Sequence, residues 1–126
     1  MDINTLRQFM AERDSISILE TLDVHTGAMS ILKEFDYVIE APNWTRDGRY
    51  LVYNSRGCIY TYALETGETR QVDTGFAIDC NNDHVLSPDN TQIAVSHFTN
   101  EDAASRIYIL PFEGGSPVLV TDKGPS

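Results

Sequence analysis

From residue 15 onward the chain alternates short apolar runs with turn residues, a pattern of strands rather than helices. Ile16, Ile18 and Leu19 open a run that reaches Val24, His25-Thr26-Gly27 turns it, and Met29-Ser30-Ile31-Leu32 returns. The same hairpin recurs as Cys58–Leu64, Glu65-Thr66-Gly67-Glu68 and Thr69–Val72. It recurs again as Arg106–Leu110, Glu113-Gly114-Gly115 and Pro117–Val120. Glycine at each apex supplies the positive φ that tight hairpin turns need. Between the hairpins lie a second kind of turn, Asp47-Gly48 and Ser87-Pro88-Asp89-Asn90, and two unbroken apolar runs, Leu51-Val52-Tyr53 and Ile93-Ala94-Val95. Pro88 presets φ and Asn90 tolerates the left-handed region, so the two turns are one turn spelled twice. The unbroken runs suit strands buried on both faces.

These pieces fall into register. Asn43–Asn54 aligns on Val85–Ser96 at an offset of 42 residues. A repeat of about 40–45 residues built from short strands is the signature of a β-propeller blade. The expected fold is therefore all-β, with four antiparallel strands per blade. The predicted organisation is an outer hairpin at 15–33, a full blade at 36–77 and another at 78–121. Asn100–Ser105 is a polar surface loop within the last blade. Residues 1–14 stay ambiguous, because Ile3, Leu6, Phe9 and Met10 have near-helical spacing while 6–12 also reads as a strand. The 126 residues make about three blade lengths, whereas closed propellers use about 4–8 blades.

Trp44-Thr45-Arg46-Asp47-Gly48-Arg49-Tyr50-Leu51-Val52-Tyr53 and Leu86-Ser87-Pro88-Asp89-Asn90-Thr91-Gln92-Ile93-Ala94-Val95 resemble the W-S-P-D-G-K-x-I-x-F core of the TolB-like, WD-type propeller repeat. The resemblance covers about 15–126 and implies the N-terminal half of a six-bladed propeller. Two readings of the missing half stand side by side: a longer protein, or a homodimer in which two copies complete one ring. The resemblance implies a protein-interaction or ligand-binding scaffold. Fold alone does not assign function. An enzyme of lyase or hydrolase type with a site at the channel mouth, or the gating propeller of a serine peptidase, is the alternative. The envelope protein of the family carries a leader and an α/β domain ahead of its propeller, and neither is visible in this sequence.

Charge narrows the partners. Nine basic against 19 acidic residues give a formal charge of −10, which disfavours nucleic acid and anionic lipid, since both are bound through Lys and Arg patches. No apolar run approaches the ~18 residues of a membrane span, so no membrane insertion is expected. The N-terminal residues lack the basic start and apolar stretch of a secretory signal. That points to the cytoplasm, or to the periplasm if a leader has been removed. Cys58 and Cys80 form no CxxC pair and are expected to be buried small hydrophobes.

The most distinctive polar cluster is Asp79-Cys80-Asn81-Asn82-Asp83-His84. In the repeat frame Asn82 falls on Glu40, just upstream of an innermost strand, where a propeller opens its central channel. A ligand-binding rim of Glu40, Asn43, Asn81, Asn82, Asp83 and His84 is the expected site. Asp83 and His84 have the types of a carboxylate–imidazole pair. The plain alternative is that Asn and Asp bond nearby backbone while His84 packs beneath. Asp79, Asn81 and Asp83 mimic the start of a calcium loop, but His84 stands where Gly is required and Asn90 where Glu is required. No nucleophile elbow, P-loop, dinucleotide fingerprint or HExxH occurs. No catalytic residue, metal or cofactor is therefore assigned. Trp44, the sole tryptophan, is expected in the blade core rather than as a stacking surface for ligand. Tyr60, Tyr62 and Tyr108 are expected to fill the seam between blades, and His25 and His97 to be structural.

Overall fold

The computed structural model describes residues 15–120 together with Ile3 and Asn4. The ambiguous stretch at 6–12 and the chain end at 121–126 lie outside the described residues. Ten strands are described: β1 Ser17–Leu22, β2 Met29–Phe35, β3 Glu40–Trp44, β4 Tyr50–Ser55, β5 Cys58–Ala63, β6 Thr69–Gln71, β7 Cys80–Leu86, β8 Gln92–Thr99, β9 Ala104–Pro111 and β10 Val118–Leu119. They form a two-stranded sheet β1-β2 and two four-stranded antiparallel sheets, β3-β4-β5-β6 and β7-β8-β9-β10. The all-β, antiparallel expectation holds. The chain divides into two compact units, one ending at Ile39 and one beginning at Glu40.

In the first unit, β1 pairs with β2 through a bulge between Leu19 and Glu20. Leu19 and Phe35 are buried, and Ile39 N donates to Ser17 Oγ at 3.1 Å. Gly27 N donates to Asp23 O at 2.8 Å, while Asp23 Oδ1 accepts from the backbone of His25 and Thr26. The corresponding apex in the second unit repeats the frame, with Gly67 N donating to Ala63 O at 2.7 Å. In both, a threonine hydroxyl accepts from the backbone two residues on, Thr26 from Ala28 and Thr66 from Glu68.

The turns that join β3 to β4 and β7 to β8 are built alike, atom for atom. Thr45 Oγ1 donates to Asp47 Oδ1 at 2.6 Å and accepts from Tyr50 N at 3.1 Å. Ser87 Oγ donates to Asp89 Oδ1 at 2.7 Å and accepts from Gln92 N at 3.0 Å. Asp47 and Asp89 each accept a backbone N–H, from Arg49 and Thr91, at 3.0 Å. Gly48 and Asn90 take the left-handed conformation at the same step, with φ of 71° and 61°. Hydrogen bonds from Ser87 and Thr91 hold the Asp89 carboxyl down at about 2, because they favour its charged form. Those from Thr45 and Arg49 lower Asp47 in the same direction.

The core of the second unit joins its two sheets. Val52, Ile59 and Val72 from the first meet Ile93, Val95, Tyr108 and Leu110 from the second, with Ala77 and Cys80 between them. β4 is buried along nearly its whole length, as an unbroken apolar run requires when both sheet faces are covered. Tyr62 and Tyr108 are buried, whereas Tyr60 is half-buried and stacks on Tyr53 with ring centroids 5.5 Å apart. His97 is buried, accepts from Asp79 N at Nδ1 and packs edge-on against Phe76 and Tyr108.

Two expectations, for Trp44 and for Cys58, need correction. Trp44 is 55% exposed, not in the core: β3 is an edge strand, and among the described residues the indole meets no other aromatic ring. Cys80 is buried but Cys58 is only half-buried, because it opens β5 beside an exposed turn residue, Arg56. The closing strands are short, although Val72 N and Val120 N still bond to Ile59 O and Ile107 O and so extend each ladder by one step.

The joint between the four-stranded sheets is Gly57. Arg56 and Gly57 both have positive φ, the requirement of a two-residue type I′ hairpin. Gly57 O accepts from Cys80 N at 2.9 Å, and a Cβ on Gly57 would stand 2.3 Å from Ile78 O. Gly57→Ala is therefore expected to destabilise the chain by more than about 1 kcal/mol, read as a lower urea midpoint. A midpoint unchanged from that of the native chain contradicts this close approach.

Candidate functional site

The expected rim residues sit on two strand bulges at equivalent points of the repeat. In β3 the register shifts between Glu40, opposite Asn54, and Asn43, opposite Val52. Ala41 takes a φ of 51° within this bulge. In β7 the register shifts between Cys80, opposite His97, and His84, opposite Val95. A bulge breaks the alternation of side chains and re-aims them. Three successive residues, Asn81, Asn82 and Asp83, are exposed, which a regular strand with one covered face does not allow.

Glu40, Asn82 and Asn54 form one chain of side-chain bonds. Asn82 Nδ2 donates to Glu40 Oε2 at 3.2 Å, and Asn82 Oδ1 accepts from Asn54 Nδ2 at 2.9 Å. The first of these joins the same position of two successive repeats. Asn81 is fixed separately: its Nδ2 donates to Ser96 Oγ at 3.0 Å and its Oδ1 accepts from Asp83 N at 2.9 Å. Asn43 is exposed and donates to Ala41 O at 3.2 Å. Glu40 and Asn82 are thus bonded to each other, and Asn81 and Asp83 form a second bonded pair beside Asn82 in β7. Asn43 bonds only locally.

His84 is set apart by burial. It is 7% exposed, while its neighbour Asp83 is exposed. Among the described residues no hydrogen bond joins the two, and Asp83 acts on the imidazole through its charge. Burial pushes the His84 imidazole below its ordinary 6.5, opposed by a backbone hydrogen bond at Ala41 and by Asp83. Its Nε2 is buried without a hydrogen-bond partner, as is Asn54 Oδ1. Burial also raises the Cys80 thiol to about 12, with the charges of Cys58 and Asp79 adding to it. Among the described residues no group of three His, Cys, Asp or Glu side chains is placed to hold a metal.

Sequence reading missed Asn54 and Ser96, the anchors of Asn82 and Asn81. A signal was present: both are polar, both end a buried apolar run, and they occupy equivalent repeat positions. Two cavities accompany these strands. One of about 280 Å³ contains Asn43 and His84 from the expected set, together with Trp44, Arg46 and Pro88. A wider one of about 1230 Å³ is lined by Arg49, Arg70, Glu68, Asp73 and Glu113 and contains none of the expected residues.

No protein-family model matches the chain. An uncharacterized protein of Agrobacterium fabrum is 42% identical over 111 residues, covering 87% of this chain and 38% of that protein. The Tol-Pal system protein TolB of Francisella tularensis is 32% identical over 84 residues, 64% of this chain and 19% of the relative. The solved structure of a TolB-type protein from Agrobacterium tumefaciens matches with a TM-score of 0.81 at 42% identity, over 87% of this chain and 39% of that one. TolB from Acinetobacter baumannii matches with a TM-score of 0.68 at 22% identity, over 81% of this chain and 26% of that one, which speaks to fold alone. The chain spans about two fifths or less of the length of these relatives. The Francisella relative and both solved structures are TolB or TolB-type proteins, and the chain aligns on part of each.

Burial of His84 has a pH consequence. Its folded pKa lies below the unfolded value, so the unfolded chain takes up the proton first as pH falls through about 6.5. Stability is expected to decline as pH drops below that point, until the folded ring also protonates. His84→Gln flattens this part of the profile, read from urea midpoints between pH 8 and pH 5. Equal slopes for both chains contradict a buried neutral imidazole.

Proposed function

We propose that this chain supplies part of a TolB-like propeller that works as a protein-interaction scaffold, with the partner received on the rim formed by Glu40, Asn43, Asn81, Asn82, Asp83 and His84. The observation that carries this reading is the bond from Asn82 to Glu40 across two repeats, flanked by three successive exposed polar residues. It prepares a firm, hydrogen-bonding surface without a nucleophile–base pair. Residues 36–77 and 78–121 are read as successive blades and 15–33 as an outer hairpin. Similarity to Tol-Pal system proteins supports a protein partner. It also favours the periplasmic over the cytoplasmic placement, since the envelope member of this family is a leader-bearing protein. A small-molecule ligand at the same rim is the narrower variant. A homodimer of two copies closing one ring is a further element of the proposal, checked by a solution mass of twice the chain.

The enzyme and peptidase-gate alternatives draw no support from the site. The likeness to tricorn protease, at 23% identity and a TM-score of 0.59, concerns the fold.

The test is capture of envelope proteins by the immobilised chain beside the double variant Asn82→Ala/Asp83→Ala. A defined partner retained by the native chain and reduced about tenfold by the variant supports the rim. Equal capture by both, or none by either, sinks it. The Asn82 change removes the exposed Glu40 bond and the part-buried Asn54 bond, together about 1–3 kcal/mol, so far-ultraviolet dichroism is read beside the capture to show that the variant keeps the native strands.

A further inference from the structure

The smaller cavity carries a second reading, which goes beyond the rim. It lies where the chain leaves β3 and β7, and Trp44, Val52, Leu86 and Pro88 give it apolar walls. Its volume, about 280 Å³, is at the lower edge of ligand pockets, about 300–1,000 Å³. It therefore suits one ring-sized group. The indole of Trp44 is 55% exposed, and an exposed tryptophan face is a stacking surface. Arg46 stands on the same cavity. Its backbone N–H donates to Asn90 Oδ1 at 3.2 Å, which ties the residue across the two repeats. Among the described residues its guanidinium has no ion pair or hydrogen bond. In a chain with about twice as many acidic as basic residues, a guanidinium without a partner and an open indole lining one cavity are an unmet pairing. His84, whose Nε2 is buried without a hydrogen-bond partner among the described residues, also lines the cavity.

We propose that this pocket binds a small aromatic carboxylate, with the ring against Trp44 and the carboxylate on Arg46. A guanidinium meets a carboxylate through two parallel N–H···O bonds. An aromatic pair adds an offset or edge-on contact. The acid is either a free small molecule or the C-terminal residue of a peptide, since both present a ring a few bonds from a carboxylate.

Trp44, as the sole tryptophan, reports occupancy directly. Its emission is titrated with 3-phenylpropanoate, with N-acetyl-glycyl-phenylalanine and with the carboxamide of each. A saturable change with either acid, at least tenfold weaker for its amide, supports the pocket. The tighter of the two acids identifies the source. Arg46→Gln is expected to weaken binding at least tenfold. Arg46→Lys falls between, because a point charge replaces the two-pronged donor. Arg46 is exposed, and far-ultraviolet dichroism confirms that each variant keeps the native strands. No saturable change with either acid, amides that bind as well as acids, or an Arg46→Gln chain that binds like the native one overturns the proposal. No protein partner is present in this titration, so its failure leaves the rim untouched, and failure of the capture test leaves the pocket untouched.

Discussion

The fold depends on a small cage in which one carboxylate holds one turn. Asp47 and Asp89 each accept from a hydroxyl two residues before and a backbone N–H two residues after. The hydroxyl in turn accepts from the first residue of the following strand. This fixes the residue at which β4 and β8 begin. Strand register has a period of two, so a slip of one residue would turn the core face outward. With the cage in place, Val52 and Ile59, like Ile93 and Leu110, land on the covered side and are buried. Glycine at one cage and asparagine at the other serve the same purpose, because both reach positive φ without the cost borne by other side chains.

Contacts between the two four-stranded sheets use backbone as much as side chains. Cys80 N bonds to Gly57 O, and Phe98 N to Asp79 O, while Asp79 N bonds to the buried ring of His97. The segment entering β7 is thereby pinned on one side to the β4–β5 hairpin and on the other to β8. Any residue larger than glycine at position 57 would collide with the carbonyl of Ile78. A joint made this way leaves the next few residues little freedom. Asn81, Asn82 and Asp83 then take the bulge and project as a group.

Most of the architecture was legible in the sequence because the repeat writes it twice. A turn and a buried run repeated at a spacing of 42, each followed by a glycine-tipped hairpin, identify antiparallel four-stranded units. Asn90 was readable as a left-handed residue from its alignment on Gly48. Trp44 was not legible, for a definite reason. Its type predicts burial, but its exposure depends on which strand neighbours β3, and that is a tertiary fact. At the rim, the equivalence of Glu40 and Asn82 followed from the repeat frame, but the bond between them did not. Nor did Asn54 and Ser96, because their role depends on two bulges that no residue type announces. Ala41, an alanine with positive φ, gives no sequence signal at all.

The two ends of β3 and β7 consequently have different physical characters. At the end where the cage sits, side-chain hydroxyls and carboxylates satisfy the backbone, and the geometry repeats to within a few tenths of an ångström. At the other end no such cage exists, and the ladder is interrupted in both strands. Among the described residues Asn54 Oδ1 is buried there without a hydrogen-bond partner. Regular structure at one end therefore supports irregular structure at the other. Glu40, Asn81, Asn82 and Asp83 fall at the irregular end, where bulges spread them over one surface instead of alternating them through the sheet.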